Sequence, residues 1–141
     1  MIRAAAGAGG FLAALALVPG QAAGLDVTVS GIEPGGTLYV ALCQGGLSEE
    51  ACRIGQDAPA AGASQRFVFR DLPPGIWAVA AFQDRNGNRR LDRTPLGLPR
   101  EPYAFSGGGR RARPDFASAS FRLNEPGAAL HLQLVRALPP R

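Results

Sequence analysis

Alternation of apolar and polar residues is the feature of this sequence that most restricts its fold. Between residues 25 and 30 the apolar side chains are Leu25, Val27 and Val29, and residues 37–43 repeat the pattern. A period of two residues is that of a β-strand with one face in a core, whereas a helix repeats every 3.6 residues. No segment after residue 24 keeps the helical period, so we expect an all-β domain.

Glycine and proline separate the expected strands. The turn Pro73-Pro74-Gly75 leads into a strand from Ile76 to Phe82 that is apolar on both faces, which indicates a central position in a covered sheet. Residues 44–64 have the composition of a loop. Further short strands are expected at residues 66–70, 116–123 and 129–135. Short strands between turns are typical of a sandwich, so we predict a single small antiparallel β-sandwich, Ig-like or transthyretin-like, with about seven strands.

One long stretch, residues 93–115, has no period and is rich in proline and glycine. Loops of this length in a small domain are usually functional or disordered. Burying Leu96, Tyr103 or Phe105 is worth about 1.5–3 kcal/mol for each side chain. We therefore expect the segment 96–105 to pack on the sheet, over the outer face of the central strand.

The first 23 residues have the features of a signal peptide. Arg3 precedes an apolar run over residues 11–18, and Gly20-Gln21-Ala22 is a small-x-small cleavage pattern. The run is shorter than the ~20 residues that span a bilayer, so we expect cleavage after Ala22 or Ala23 rather than a retained anchor. The predicted organisation is a signal peptide at 1–23, the sandwich domain at 24–136 and a short tail at 137–141. The mature protein is expected in the periplasm or the medium, without a membrane span.

The composition excludes several kinds of catalytic site. All 15 basic residues are arginine, so the chain has no lysine for a Schiff base or a P-loop. Its single histidine, His131, excludes a zinc site built from several histidines. The net charge of +4 is small and scattered, which argues against nucleic acid as a partner. We therefore expect a protein that is not an enzyme.

The chain has two cysteines, Cys43 and Cys52. In an exported protein an even number of cysteines is typical of disulfides. A metal site or a Cys-His dyad would need further partners that the sequence does not supply. We predict a disulfide between Cys43 and Cys52, worth about 2–3 kcal/mol because it closes a short loop.

Oxygen-bearing side chains recur after the central strand, at Asp84, Asn86, Asn88 and Asp92. Calcium takes six to eight oxygen ligands at ~2.4 Å from a flexible loop, so the spacing predicts a site formed by these side chains and the backbone carbonyl of Arg90. Neighbouring arginines limit the expected affinity to about 10⁻⁴–10⁻³ M. One alternative is a plain turn in which the Asx side chains cap loop amides. Another is a small hydrolase that uses Asp84 and Asp92.

Several motifs occur in an order that resembles one bacterial family. They are the segments 67–75, 77–80, 82–88, 91–92 and 96–106. Together they resemble the exported-protein family catalogued as domain of unknown function 2141, over about residues 24–135. The resemblance implies an export signal, a small β-sandwich similar to transthyretin-like and carboxypeptidase-regulatory-like domains, and no known activity. Gln83 stands where a histidine is common in that family, and Ala104 where a glycine is common.

The sequence thus predicts a non-enzymatic, exported β-sandwich that binds an unknown ligand or partner, or supports an assembly of the cell envelope. It predicts no catalytic residue and no cofactor other than weakly bound Ca²⁺. The geometry around Asp84 and Asp92 distinguishes the alternatives. A closed set of oxygens favours calcium or a plain turn, and an open cleft that both carboxylates face favours hydrolysis.

Overall fold

A computed structural model describes residues 22–107 and 114–138, which form two β-sheets around a shared core. The strands are β1 Ala23–Ser30, β2 Thr37–Cys43, β3 Ile54–Pro59, β4 Ser64–Leu72, β5 Gly75–Asp84, β6 Tyr103–Phe105, β7 Phe121–Leu123 and β8 Gly127–Gln133, and a short helix, α1 Phe116–Ala119, precedes β7. The all-β sandwich prediction is confirmed, with eight strands in the described residues where about seven were expected. The predicted signal peptide, apart from its last two residues, lies outside the described residues.

The first sheet has the strand order β4-β1-β8, and the second has the order β3-β2-β5-β6, with β7 paired to the beginning of β5. Neighbouring strands are antiparallel except β1 and β8, which run parallel. This pair differs from the fully antiparallel prediction because β8 enters the sheet with Gly127 beside Gly24, at the end where β1 also begins. None of the helices in the described part of the chain is long and apolar enough to cross a membrane.

The alternating residues of the strands form the core between the sheets. Val27 and Val29 of β1 are fully buried and belong to the same cluster as Leu38 and Val40 of β2 and Trp77 of β5. Each of these large apolar side chains contributes about 1.5–3 kcal/mol by leaving water. In β1 and β2 the period of two residues therefore identified the face that meets the opposite sheet.

Two segments differ from the sequence prediction. Residues 54–59, expected in a loop, form the edge strand β3, which pairs with β2 and keeps most of its side chains in solvent. A strand without a buried face has no apolar alternation, so its period could not reveal it. The strand expected at 116–123 is instead helix α1 followed by β7. The carboxylate of Asp115 caps this helix by accepting a 2.8 Å hydrogen bond from the amide of Ser118.

The prediction that the long loop packs on the sheet holds for two of its three apolar side chains. Leu96 is 76% exposed instead of packed on the sheet. Tyr103 and Phe105 do pack there, with Tyr103 2% exposed, but their segment forms strand β6 beside β5 instead of lying over its face. An unpaired strand edge offers amides and carbonyls that a covering loop cannot satisfy as well, so pairing at the edge is favoured.

Cys43 and Cys52 form the predicted disulfide, which joins the end of β2 to the loop before β3. Cys43 is fully buried and packs with Ala78 of β5 and Ala119 of α1 on the outer face of the second sheet. The disulfide therefore fixes the loop 44–53 at one end of that face.

Candidate functional site

The outer face of the second sheet carries a depression, which we call the trough. Residues paired across neighbouring antiparallel strands lie on the same face. Ala41 is paired with Ala80, and Ala80 with Phe105, so two small side chains stand beside an aromatic ring. In the adjacent row Tyr39 stacks on Phe82, with ring centroids 5.2 Å apart. The alanines thus form the floor of a trough with a volume of about 810 Å³.

Two loops form the sides of the trough, one from the segment after β2 and the other from the segment after β5. The lining residues are Ala41, Leu47, Ser48, Glu49, Cys52, Ala80, Phe82, Asn88, Arg89, Arg90, Leu91, Asp92, Arg93 and Phe105. A smaller depression of about 560 Å³ shares Leu47, Arg93 and Phe105 and extends to Leu96. A concave surface with an apolar floor and a few charged groups at its edge is the usual form of a ligand site, and the trough has an ordinary volume for one.

Asp84, the last residue of β5, determines the shape of the loop 84–92. Its side chain is almost fully buried, and its Oδ1 atom accepts hydrogen bonds from the amides of Asn86 at 3.2 Å and Gly87 at 2.9 Å. Its Oδ2 atom accepts a third hydrogen bond, of 2.7 Å, from the amide of Arg89. Both oxygens of this carboxylate are therefore engaged by backbone donors of the loop.

Asp92 closes the other end of the loop. Its Oδ2 atom accepts a 2.6 Å hydrogen bond from the side-chain amide of Asn86, and its Oδ1 atom accepts one of 2.7 Å from that of Asn88. The hydrogen bond from Asn86 is the largest cause that lowers the pKa of the Asp92 carboxyl, followed by the one from Asn88. The charges of Arg100 and Arg90 act in the same direction.

The side chains of Asn86, Asn88 and Asp92 thus form one hydrogen-bonded group, and Asp84 is linked to it through the backbone amide of Asn86. The Oδ1 atom of Asn86 accepts from the amide of Asn88 at 3.1 Å, and the Oδ1 atom of Asn88 accepts from the amide of Arg90 at 3.0 Å. These contacts are those of the plain-turn alternative. Within the described ranges, no three His, Cys, Asp or Glu side chains are placed so that they could hold a metal ion.

Glu101 is a carboxylate of this site that sequence reasoning missed. It is 7% exposed, and it accepts hydrogen bonds from the amides of Arg85 at 2.8 Å and Asp92 at 3.4 Å. Burial is the largest cause that raises the pKa of Glu101, and the negative charges of Asp84 and Asp92 raise it further. The two amide hydrogen bonds act in the opposite direction and lower it. In the sequence, Glu101 is marked only by being the one acidic residue of the apolar, proline-containing segment 96–105.

Gln83 anchors the loop between β1 and β2 to the end of β5. The side chain is fully buried, and its Nε2 atom donates hydrogen bonds of 2.6 Å to the carbonyls of both Glu33 and Gly35. Its Oε1 atom accepts one of 3.0 Å from the amide of Glu33. Gly36, which follows Gly35, has a φ of 78°, and a Cβ there would lie 2.3 Å from the carbonyl oxygen of Asp84. Only glycine fits this close approach.

The family comparison covers nearly the whole described domain. A family model described as "Uncharacterized protein conserved in bacteria (DUF2141)" matches residues 27–130. No curated protein and no solved structure matches the chain. The matched range extends from β1 to β8 and includes both the trough and the loop 84–92. The chain therefore belongs to the DUF2141 family of uncharacterised bacterial proteins, as the order of its motifs indicated.

Proposed function

We propose that the protein is a non-catalytic binding domain that works outside the cytoplasm and that the trough is its ligand-binding surface. The observation that carries the proposal is the pair Ala41 and Ala80, whose small side chains leave a depression between larger apolar neighbours. Exposed arginines of the loop 84–92 stand at its edge. An apolar floor supplies affinity and a few charged groups supply orientation, which is the division of roles in most ligand sites.

The alternative, a small hydrolase, has less support from the carboxylates. A mechanism with two carboxyl groups needs both to face the substrate. Asp92 lines the trough, but Asp84 is 2% exposed, and both of its oxygens accept hydrogen bonds from loop amides. These contacts support a role of Asp84 in shaping the loop.

We also propose that Ca²⁺ stabilises the loop 84–92 weakly, through Asp84, Asn86, Asn88, Asp92 and the carbonyl of Arg90. Three of the side chains already lie in one hydrogen-bonded group, with Asp84 linked to the backbone of Asn86, which supports the proposal. Their oxygens already accept hydrogen bonds from amides, so an ion would have to replace several of these contacts. This competition is a second reason, besides the arginines, to expect millimolar affinity.

Export to the periplasm or the medium is proposed from the N-terminal pattern and is compatible with the disulfide, since disulfides persist in oxidising compartments. Ala23 is 2% exposed and is the first residue of β1. Cleavage after Ala22 would keep this buried residue, so we expect the mature chain to begin at Ala23. Mass spectrometry of the protein from periplasm, medium and cytoplasm tests this, and an uncleaved chain confined to the cytoplasm would contradict it.

A screen by thermal melting tests the trough as the binding surface. Chemically diverse small molecules and peptides are added to the mature protein, and those that raise the melting temperature are tested again with Ala80→Leu, which fills the trough floor. We expect the variant to lose the stabilisation. The matched control is Ala129→Leu, on the exposed face of β8 in the other sheet. Ligands that stabilise Ala80→Leu as well as the wild type would contradict the proposal. Turnover of ester or glycoside substrates that Asp92→Asn abolishes would support the hydrolase.

A further inference from the structure

We infer that the trough binds a single-chain amphiphile with a carboxylate or phosphate headgroup. The alkyl chain lies on the floor formed by Ala41 and Ala80, and the headgroup is bound by Arg89 and Arg90. The inference rests on the proposed function and adds the class of ligand. It is supported by the backbone of Arg89, by the absence of a hydrogen bond from either guanidinium to a described residue, and by the placement of apolar and charged residues around the trough.

The backbone of Arg89 is held in a conformation that arginine rarely adopts. Its φ is 65°, a left-handed value that glycine or asparagine would adopt at lower cost. The buried carboxylate of Asp84 maintains it through the 2.7 Å hydrogen bond to the Arg89 amide. Strained residues held by their surroundings are concentrated at functional sites. The rare backbone conformation of Arg89 therefore supports a role of its guanidinium at the edge of the trough.

The guanidinium groups of Arg89 and Arg90 have no hydrogen bond or ion pair with any described residue. Both residues are exposed and line the trough. By contrast, Arg66, Arg85 and Arg136 each form an ion pair with a carboxylate. Arginine binds carboxylate and phosphate through paired N–H groups, so two guanidiniums whose N–H groups bind no described residue fit an anionic headgroup beside an apolar surface.

The remaining lining residues orient the ligand. Phe82, Phe105 and Leu47 are half-buried and flank the alanine floor, which leaves an apolar path for one alkyl chain. Asp92, beside the arginines, has its carboxylate engaged by two asparagine amides. Glu49 is exposed on the loop after β2, where its charge would repel a second anionic group. The charges therefore favour an anion on the side of the trough that carries the arginines.

Isothermal titration calorimetry with three ten-carbon amphiphiles, each below its micelle concentration, tests the inference on the mature protein. The ligands are decanoate, decyl phosphate and the uncharged decyl glucoside. We expect both anions to bind at least about tenfold more tightly than the glucoside, because each gains charge-assisted hydrogen bonds. The tighter of the two anions identifies the preferred headgroup.

Two variants separate the headgroup contacts from the floor. The double variant Arg89→Gln/Arg90→Gln should weaken the binding of both anions about tenfold. The affinity for the glucoside should not change. Its control is Arg70→Gln, which removes an exposed arginine of β4 in the other sheet. Ala80→Leu should weaken the binding of all three ligands, and Ala129→Leu should weaken the binding of none. Thermal melting of each variant verifies that it is folded.

The outcomes separate this inference from the proposed function. Binding with no preference for the anions, or a preference that Arg89→Gln/Arg90→Gln retains, overturns the headgroup assignment. If Ala80→Leu then still blocks the glucoside or a ligand from the melting screen, the trough remains the binding surface. No binding of any amphiphile overturns the inference. Binding that Ala80→Leu leaves unchanged overturns both.

Discussion

The Oδ2 atom of Asp84 accepts a hydrogen bond of 2.7 Å from the backbone amide of Arg89, whose φ is 65°. A left-handed backbone costs a residue with a Cβ about 1–2 kcal/mol, and glycine avoids most of this cost. We therefore expect Arg89→Gly to raise the free energy of unfolding by about 0.5–1 kcal/mol. Urea denaturation measures the change.

The neighbouring residue provides the control. Arg90 is exposed, and its φ is not positive. Arg90→Gly should lower the free energy of unfolding by about 0.5–1 kcal/mol, because it adds backbone entropy to the unfolded chain. If both variants lose stability equally, Arg89 is not strained. If amphiphiles bind as inferred, Arg89→Gly gains stability while it weakens binding, as is common at functional sites.

Calcium should raise the melting temperature if it binds the loop 84–92. A ligand of the folded state stabilises by RT ln(1 + [L]/Kd), which at ten times Kd is about 1.4 kcal/mol. For a domain of this size the melting temperature rises by about 3–7 °C. Magnesium should have less effect, because it requires a tighter octahedron and retains its water.

The calcium test compares wild type and Asp84→Ala in chelator and in millimolar calcium. A shift in the wild type that the variant loses supports the site as drawn. An unchanged wild type would leave the loop as a hydrogen-bonded turn. A shift that persists in Asp84→Ala would locate the ion elsewhere.

The disulfide should account for a measurable part of the stability. Removing the bond between Cys43 and Cys52 by double substitution to alanine should lower the free energy of unfolding by about 2–3 kcal/mol, because the unfolded chain regains loop entropy. The melting temperature should fall by roughly 10 °C. Thiol titration of the denatured, unreduced exported protein should detect no thiol, and two thiols would show that the bond does not form in the cell.

Glu33 should make the stability depend on acid pH. A hydrogen bond from Arg136 is the largest cause that lowers the pKa of Glu33, and the nearby Arg85 adds to it. With a folded-state pKa below the unfolded one, the contribution is complete above the ordinary glutamate pKa of about 4.3 and is lost as pH falls through the lowered folded value. Glu33→Gln should therefore cost about 1 kcal/mol at pH 7, a modest amount because water screens these partly exposed groups.

Urea denaturation at pH 7 and pH 3 tests this dependence. The difference between the wild type and Glu33→Gln should shrink toward zero at pH 3 and should also decrease in high salt. Glu125→Gln, at an exposed position in the turn before β8, is the control and should differ from the wild type at neither pH. An equal cost of Glu33→Gln at both pH values would show that packing, and not charge, is responsible.

The sequence predicted the longer strands that bury one or both faces, whereas the three-residue strand β6 is too short to show a period. β1 and β2 follow the alternation because Val27 and Val40 point into the core between the sheets. β5 is apolar on both faces because its outer face also holds a cluster, around Ala78. β3 was not predicted because backbone pairing stabilises this edge strand. Its exposed side chains therefore show no alternation of apolar and polar residues.

The candidate site was predictable only where it is local in sequence. The spacing from Asp84 to Asp92 identified the loop. The trough floor depends on the register that places Ala41 beside Ala80 and Phe105, and three distant segments meet there. Alanine carries no pattern of its own, so nothing in the sequence distinguished these two from other alanines. Glu101 escaped notice for the same reason, since its neighbours Asp84 and Asp92 come close to it only after folding.

The parallel pairing of β1 and β8 determines when the domain can finish folding. Ser30 and His131, whose side chains share a 2.8 Å hydrogen bond across this pair, are separated by 101 residues. A chain that emerges amino end first, from a ribosome or a translocation pore, therefore keeps one edge of β1 unpaired until residues 127–133 have also emerged. Pairing across so long a separation is slow, and an open edge can recruit other strands. Strand β8 thus completes the first sheet, and a chain without it would have an unpaired edge at β1.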